Sequence, residues 1–154
     1  MKKKRIYFKT EEIKTTVRRG YFEIDTDYTQ IYDSFSLVAK KIRSATSFKL
    51  LLWLLANKTN DENGIDSGIN TYNDFNNYLS VDCDSCSITY RTFLNCMKEL
   101  MDSGAVTKPY KGQYFANPYL FWKDETDKRI EHLTEQNKDG NFISLNPIIT
   151  DETT

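Results

Sequence analysis

Residues 89–104 carry the pattern that most constrains how this chain folds. Their apolar side chains recur at spacings of three and four, which is the period of a helix with one buried face. These residues are Phe93, Leu94, Met97, Leu100 and Met101. Thr89 is a suitable N-cap, and Gly104 stands where a glycine commonly ends a helix. We therefore predict one amphipathic helix over this segment.

The hydrophobic period changes after Gly104. Residues 105–109 and 113–116 have the composition of two short strands, and the glycine of Tyr110-Lys111-Gly112 between them suits a turn. Asn117-Pro118 is typical of the end of such a unit. We predict that a β-hairpin follows the amphipathic helix directly.

A shorter helix is predicted before the amphipathic one. Thr71 and Asp74 have the spacing of a capping box, and the helix should continue to about Ser80. Its inner face consists of Phe75, Tyr78 and Leu79. A polar turn follows over 82–87. Short helix, turn, longer helix and hairpin is the order of a winged helix-turn-helix, so we predict a mainly α fold with a β-hairpin wing.

Two more helices are predicted upstream of this unit. Asp33 is a candidate N-cap for the first, and Thr46 or Ser47 for the second, which should reach about Asn57. The second helix contains the run 50–56, which is apolar nearly all round, so we expect it to be buried. Short strands are predicted at 21–24 and near Ile69, and a charged helix at 124–137.

The net charge of −1 conceals a strong segregation of charge along the chain. Residues 1–20 carry +6 and residues 91–123 carry +3, whereas residues 59–90 carry −6 and residues 124–154 carry −5. What decides which partner binds is the charge of the surface presented, rather than the total. The small net charge therefore does not exclude a nucleic-acid partner.

Cysteine and histidine are too few for most catalytic or metal sites. The chain has Cys83, Cys86, Cys96 and one histidine, His132. Cys83 and Cys86 have the CxxC spacing of zinc and redox sites, but the second pair of ligands that a zinc finger needs is missing. We interpret them as small residues in a turn and expect neither a metal site nor a disulfide framework. A catalytic triad would have to use His132, inside a charged helix.

Nucleotide cofactors and membranes are also unsupported. The sequence contains neither a GxxxxGK[ST] nor a GxGxxG loop. Its longest apolar run has seven residues, far short of the roughly 20 that a membrane span needs. No apolar signal-peptide segment follows the basic N-terminus. We expect a cytoplasmic, non-enzymatic protein without a cofactor or a membrane contact.

The outward positions of the amphipathic helix and the hairpin turn are the candidate DNA contacts. They are Thr89, Tyr90, Arg91, Asn95 and Lys98 on the helix, and Lys108, Tyr110 and Lys111 on the hairpin. Arginine can pair with a guanine edge and asparagine with an adenine edge. We predict that 89–98 reads the major groove of double-stranded DNA while 108–111 contacts the backbone. The basic arm would follow a minor groove or the backbone.

Other functions are compatible with the same residues. Polar residues on the outer side of an amphipathic helix are commonly just a solvated face. A transcriptional regulator would use the same fold at an operator, and a protein-interaction module would use the acidic residues 59–90 and 124–135 as its contact surface. A homodimer would fit paired half-sites. We divide the chain into a basic N-terminal arm at 1–20, a winged-helix DNA-binding domain at 21–137 and a C-terminal tail at 138–154.

Several motifs occur together between Tyr21 and Leu133. They are the Leu-rich helix, Thr71-x-x-Asp74-Phe75-x-x-x-Leu79, Thr89-x-x-Thr92-Phe93, Leu100-x-x-x-Gly104-Ala105-Val106, and Gly112-Gln113-Tyr114-Phe115-Ala116-Asn117-Pro118 before an aromatic segment. This combination resembles the RepL family of replication initiators, which occurs in plasmids and phages. The resemblance implies a non-enzymatic DNA-binding protein that recognises a replication origin, initiates replication or controls copy number, and helps load host replication proteins.

Overall fold

The computed structural model describes residues 3–11, 17–25, 28–81, 83–110 and 112–137, and these form five α-helices and three small antiparallel sheets. The helices are α1 (Phe35–Ala39), α2 (Ala45–Asn57), α3 (Ile69–Ser80), α4 (Tyr90–Ser103) and α5 (Thr126–Asn137). The strands are β1 (Lys3–Glu11), β2 (Val17–Asp25), β3 (Gln30–Ile31), β4 (Gly64–Ile65), β5 (Val106–Tyr110), β6 (Gln113–Ala116) and β7 (Phe121–Trp122). The predicted combination of helices with a hairpin after the amphipathic helix is therefore confirmed.

Helix α2 lies in the middle of the core, as the Leu-rich run predicts. Leu50, Leu51 and Leu54 are completely buried, and α2 packs against α4. Each buried leucine contributes about 1.5–3 kcal/mol to folding. Leu52 remains exposed on the outer side of the helix. No helix in the described part of the chain is long and apolar enough to cross a membrane.

Strands β4, β5 and β6 form one sheet in the order β4-β6-β5. The register pairs Gly64 with Phe115 and Val106 with Ala116. The β5–β6 ladder is irregular between Thr107 and Tyr110, where Pro109 lacks an amide hydrogen to donate. Strand β4 thus pairs with β6, the second strand of the hairpin, and β6 is the central strand of the sheet.

Strands β1 and β2 form a separate two-stranded sheet with an unbroken register from Lys3↔Asp25 to Glu11↔Val17. The short strand predicted at 21–24 lies inside β2 and is confirmed. Its pairing with β1 was not predicted, because residues 12–16 read Glu-Ile-Lys-Thr-Thr and hold none of the usual turn residues. Much of the basic arm predicted at 1–20 is thus a β-ribbon.

Asn117 fastens the end of the hairpin to the end of α4. Its Nδ2 donates to the carbonyl of Gly104 at 2.8 Å, and its backbone amide donates to the carbonyl of Ala105 at 2.9 Å. Its Oδ1 accepts from the amide of Tyr119 at 3.0 Å. Asn117 is completely buried, so these bonds are shielded from water. The Asn-Pro motif therefore has a structural role.

A second buried asparagine, Asn63, holds the same segment from the other side. Its Nδ2 donates to the carbonyls of Ala116 and Phe121 at 3.0 and 2.7 Å, and its Oδ1 accepts from the amide of Lys123 at 2.9 Å. Asn63 has a positive φ of 66°, a conformation that asparagine adopts more readily than most residues. The single side chain thus satisfies three backbone groups, the two carbonyls in buried bonds and the amide in a partly buried one.

The predicted start of α3 was wrong. The helix begins at Ile69, where a strand was expected, and the strand is Gly64–Ile65 instead. Thr71 is inside the helix and its hydroxyl donates to the carbonyl of Asp66 at 2.8 Å. Asp74 makes an ion pair with Lys58 at 2.7 Å and does not cap the helix. Both side chains of the expected capping box therefore interact with residues outside the helix instead of capping it.

The upstream helix starts also differ from the predictions by one to three residues. Ser34 is the N-cap of α1 in place of Asp33. Ser44 is the N-cap of α2, and its hydroxyl accepts from the amide of Ser47 at 3.3 Å. Each helix start has more than one suitable cap within a few residues, Asp33 and Ser34 for α1 and Ser44, Thr46 and Ser47 for α2, so the sequence does not choose among them.

Candidate nucleic-acid interface

The turn between α3 and α4 is fixed by hydrogen bonds to Ile88. The hydroxyl of Tyr72 donates to the carbonyl of Ile88 at 2.7 Å, and Asn76 Oδ1 accepts from its amide at 2.7 Å. The Ile88 side chain packs against the core cluster that includes Phe93. Because Ile88 directly precedes the N-cap of α4, these contacts set the angle at which α4 leaves the turn.

Thr89 begins α4 as predicted. Its hydroxyl oxygen accepts from the amide of Thr92 at 3.1 Å, and the residue itself is exposed. Gly104 ends the helix with a φ of 90°, which is also as predicted. Both ends of α4 are therefore defined by local interactions.

Arg91, Asn95 and Lys98 form one row along the exposed side of α4. Spacings of four and three residues place them on the same face of a helix. All three are exposed, and no hydrogen bond or ion pair joins their side chains to any described residue. The opposite face is buried through Phe93, Met97 and Leu100, although Leu94, which was predicted in the apolar stripe, is exposed.

Tyr90 is shared between the exposed row and the packing of α3 against α4. Its ring stacks on Phe93 with centroids 6.1 Å apart and meets Tyr72 edge-on at 5.3 Å. The residue is nevertheless 40% exposed. Tyr90 can offer the edge of its ring to a ligand, but the face that stacks on Phe93 is not open to a nucleic-acid base.

The hairpin presents Lys108 close to an aromatic ring. Its Nζ lies 3.5 Å from the hydroxyl of Tyr114 and 4.9 Å from the centroid of that ring, and Lys108 is exposed. The two other predicted contacts of the hairpin, the side chain of Tyr110 and all of Lys111, lie outside the described residues. Of the three hairpin contacts predicted from the sequence, the structure therefore locates the side chain of Lys108 alone.

Lys41 is a candidate contact that sequence reasoning missed. Together with Asn95 and Lys98 it lines an open cleft of about 270 Å³ beside the outer side of α4. The segment between α1 and α2 brings Lys41 there, more than fifty residues before its neighbours in sequence. No local pattern could have shown this. Lys41 adds a third cation to the side of α4 that carries the exposed row.

Glu99 and Asp102 are the acidic residues of the same cleft, and Glu99 has structural partners. Its two carboxylate oxygens accept from the backbone amides of Arg43 and Ser44 at 3.3 and 3.2 Å, just before α2 begins. The hydroxyl of Ser47, followed by those amides and the charge of Arg43, holds the pKa of Glu99 below its usual value despite some desolvation. Glu99 thus links α4 to the start of α2.

Cys83 and Cys86 are joined by a disulfide in the turn between α3 and α4. The turn was predicted, but the interpretation of the two cysteines as unlinked small residues was wrong. The short 3-10 turn Asp84–Cys86 brings their Cα atoms to 5.3 Å, within the usual range for a disulfide. Cys96 is buried and free in α4. The described residues contain no cluster of three or more metal-ligating side chains.

Comparisons with known proteins identify no relative for this chain. No family model, no curated protein and no solved structure matched it. The resemblance to RepL initiators therefore rests on the sequence motifs alone.

Proposed function

We propose that this chain is a winged helix-turn-helix protein that binds double-stranded DNA with sequence specificity. The observation that carries the proposal is the exposed row Arg91, Asn95 and Lys98 on the helix that follows the turn. The order of elements along the chain also supports it, because α3 and α4 are followed by the β5–β6 hairpin, and in a winged helix a hairpin follows the second helix of the motif. In the sheet, the hairpin strand β6 lies between β5 and the short strand β4, which comes between α2 and α3 in the chain.

The first part of α4 would lie in the major groove. Arg91 presents two or more donors in a fixed plane and is suited to the N7 and O6 acceptors of guanine. Asn95, one turn further, can both donate to and accept from adenine. Thr89 would contact the backbone at the start of the helix, and Tyr90 would lie at the edge of the contact.

The hairpin and the α1–α2 segment would hold the phosphates. Lys108 lies on the hairpin beside the ring of Tyr114. Lys41 and Lys98 line the cleft at the other end of the row. Tyr110 and Lys111 complete the set expected from the sequence. Contacts of this kind fix the register of the protein on the duplex without choosing a sequence.

The biological role that we propose is initiation or copy control of replication in a plasmid or phage-like element. It follows from the resemblance to RepL initiators, with a replication origin as the DNA and host replication proteins as further partners. A transcriptional regulator would use the same interface at an operator. The position of the DNA recovered with the protein from cells distinguishes the two roles, since an origin and a promoter lie at different places.

The test of DNA recognition starts with selection of a preferred site from a pool of random duplexes. Titrations of the selected duplex and a scrambled duplex then measure specificity. Replacing Arg91 with alanine should reduce the preference by about 1–3 kcal/mol. Lys108→Gln should weaken both duplexes alike and lower the salt slope by about one.

Lys128→Gln is the matched control, because it removes one positive charge from α5 beside Glu62 and Asp124. It should leave the preference unchanged. Wild-type preference in the Arg91 variant, together with wild-type salt dependence in the Lys108 variant, would show that α4 and the hairpin do not form the interface.

A further inference from the structure

A disulfide lies at the surface of the turn that leads into α4. It joins Cys83, which is partly exposed, to Cys86, which is exposed. Ser87 and Ile88 separate it from Thr89, the N-cap of α4. A reagent in solution can therefore approach the disulfide directly before the start of the candidate recognition helix.

This disulfide does not join separate elements of the fold. Asp84 and Ser85 are the residues between its two cysteines, and all four belong to the same short turn. The stabilisation of a fold by a disulfide increases with the length of chain that the bond encloses. The bond thus contributes little to holding α3 and α4 together. Exposed disulfides are more commonly the ones that open and close by exchange with thiols.

The surroundings of the two sulfurs favour exchange in one direction. The hydroxyl of Ser85 lies 3.2 Å from the sulfur of Cys83, and it is the donor because a disulfide sulfur carries no hydrogen. This donor stabilises the thiolate of Cys83 when the bond opens, and a sulfur that forms a more stable thiolate is the better leaving group. The adjacent Asp84 is exposed, so its charge is largely screened by solvent. Attack should therefore occur at the more exposed Cys86, with Cys83 as the leaving group.

Hydrogen bonds at Ile88 connect this turn to α3 and α4. The carbonyl of Ile88 accepts from Tyr72 and its amide donates to Asn76, each at 2.7 Å. Neither bond uses a cysteine, so both remain when the disulfide is reduced. The segment between Cys83 and Ile88 then gains conformational freedom, which is lost again when α3 and α4 dock together on DNA. The reduced form should therefore keep its fold and bind DNA less tightly.

We propose that Cys83 and Cys86 form a reversible redox site that regulates DNA binding, with the disulfide as the form of higher affinity. The inference rests on the proposed function, since it concerns the affinity of α4 for its duplex. The electron donor is a dithiol. A second thiol in the same donor completes the exchange by forming a disulfide within the donor.

The exchange takes place in two steps. A thiolate of the dithiol attacks Sγ of Cys86, the bond between the two protein sulfurs breaks, and Cys83 leaves with the electron pair and takes up a proton. The second thiolate attacks the donor's sulfur in the mixed disulfide, and Cys86 leaves and takes up a proton. The protein has then gained two electrons and two protons, and the donor has become a disulfide. Exchange in the reverse direction with another disulfide restores the bond.

The experiment compares the oxidised and reduced forms of the full chain in titrations of the selected duplex. Dithiothreitol is the dithiol probe, and it is removed without admitting oxygen before the titration. Reaction with a maleimide counts the thiols, and the two of Cys83 and Cys86 should appear on reduction. We expect reduction to weaken binding roughly threefold or more. Oxidation with glutathione disulfide should restore the affinity.

The double variant Cys83→Ser with Cys86→Ser should bind like the reduced wild type, with and without dithiothreitol. Cys96→Ala is the matched control for loss of a cysteine, because Cys96 is buried and free. It should keep the response to reduction. Thermal unfolding of each variant checks that the fold is retained. Equal affinity of the two wild-type forms, tighter binding by the reduced form, or a response to dithiothreitol in the double variant would overturn the redox site.

The outcomes for the two proposals are separable. Arg91→Ala should lower the preference for the selected duplex over a scrambled one in both redox forms. Loss of that preference in the Arg91 variant, together with equal affinities of the oxidised and reduced wild type, would overturn the redox site alone. An effect of reduction with no effect of Arg91→Ala would overturn recognition through Arg91 alone. A full chain that binds no duplex in either form would overturn both.

Discussion

At the scale of single residues, buried side-chain amides hold the segment that leaves the hairpin. Asn63 and Asn117 are both buried, and each bonds to backbone groups of distant elements. The sequence indicated that Asn117-Pro118 ends a hairpin, but not that the side chain would bond to Gly104. Asn63 lies in the run Asn60-Asp61-Glu62-Asn63-Gly64, whose composition is typical of a solvated loop. Nothing in a local pattern distinguishes a buried asparagine from a solvated one.

Replacing Asn63 with alanine should lower the free energy of unfolding by about 3 kcal/mol or more. The change leaves two buried carbonyls and one partly buried amide without their partner. Each buried polar group without a partner costs about 1–3 kcal/mol. Urea denaturation measures the effect. The control is Asn60→Ala, whose exposed side chain makes no hydrogen bond to any described residue. Equal stabilities of the two variants would contradict the assigned role.

Glu99 should make the stability depend on pH. Its pKa is lowered in the folded chain, first by the Ser47 hydroxyl and then by the amides near the start of α2. A depressed pKa means that the stabilisation is fully present above the unfolded value, about 4.3, and disappears as the pH falls through the folded value. The difference in stability between wild type and Glu99→Gln should therefore be largest near neutral pH and shrink in acid. A difference that grows in acid would refute the sign.

At the scale of elements, helix α4 was predictable and its neighbours less so. Thr89 and Gly104 lie directly at the two ends of the helix, and in the structure they are its N-cap and C-cap. The start of α3 was mispredicted because contacts with Lys58 and Asp66 employ the expected capping side chains. The β1–β2 pairing was missed because its connection lacks turn residues. Predictions failed where the deciding contact lies far away in sequence.

Thr89→Ala should destabilise the chain by about 1 kcal/mol, because the amide of Thr92 loses its acceptor. Thr89→Ser should retain most of the stability, since the serine hydroxyl can accept the same bond. Urea denaturation of the two variants provides the comparison. If alanine and serine are equally tolerated, the cap does not stabilise α4.

At the scale of the whole molecule, tertiary packing brings charged residues from separate segments of the chain to the same cleft. Lys41 lies beside Lys98 and Glu99 although more than fifty residues separate it from them in the sequence. The row Arg91, Asn95 and Lys98 was predictable, since helical periodicity alone places these residues on one face. The contribution of Lys41 was not, because tertiary packing brings it there. The net charge of −1 is the sum of basic and acidic segments of the sequence.

Binding to a duplex of random sequence should depend steeply on salt. The candidate phosphate contacts whose side chains the structure describes are Lys41, Lys98 and Lys108. Three such contacts predict a slope of about −3 in a plot of log affinity against log salt, or a steeper one if Lys111 also contributes. Fluorescence anisotropy across a range of salt concentrations measures this slope. A slope near zero would mean that these bases do not meet phosphates.

The most direct test of the central claim is a double-mutant cycle between Arg91 and the guanines of the selected site. Each guanine in turn is replaced by 7-deazaguanine, which removes the N7 acceptor in the major groove and leaves base pairing intact. We predict that one guanine couples to Arg91→Ala by about 1–3 kcal/mol, so that the second change costs little once the first is made. If no guanine couples to Arg91, and losses add at every position, α4 does not read the major groove through this residue.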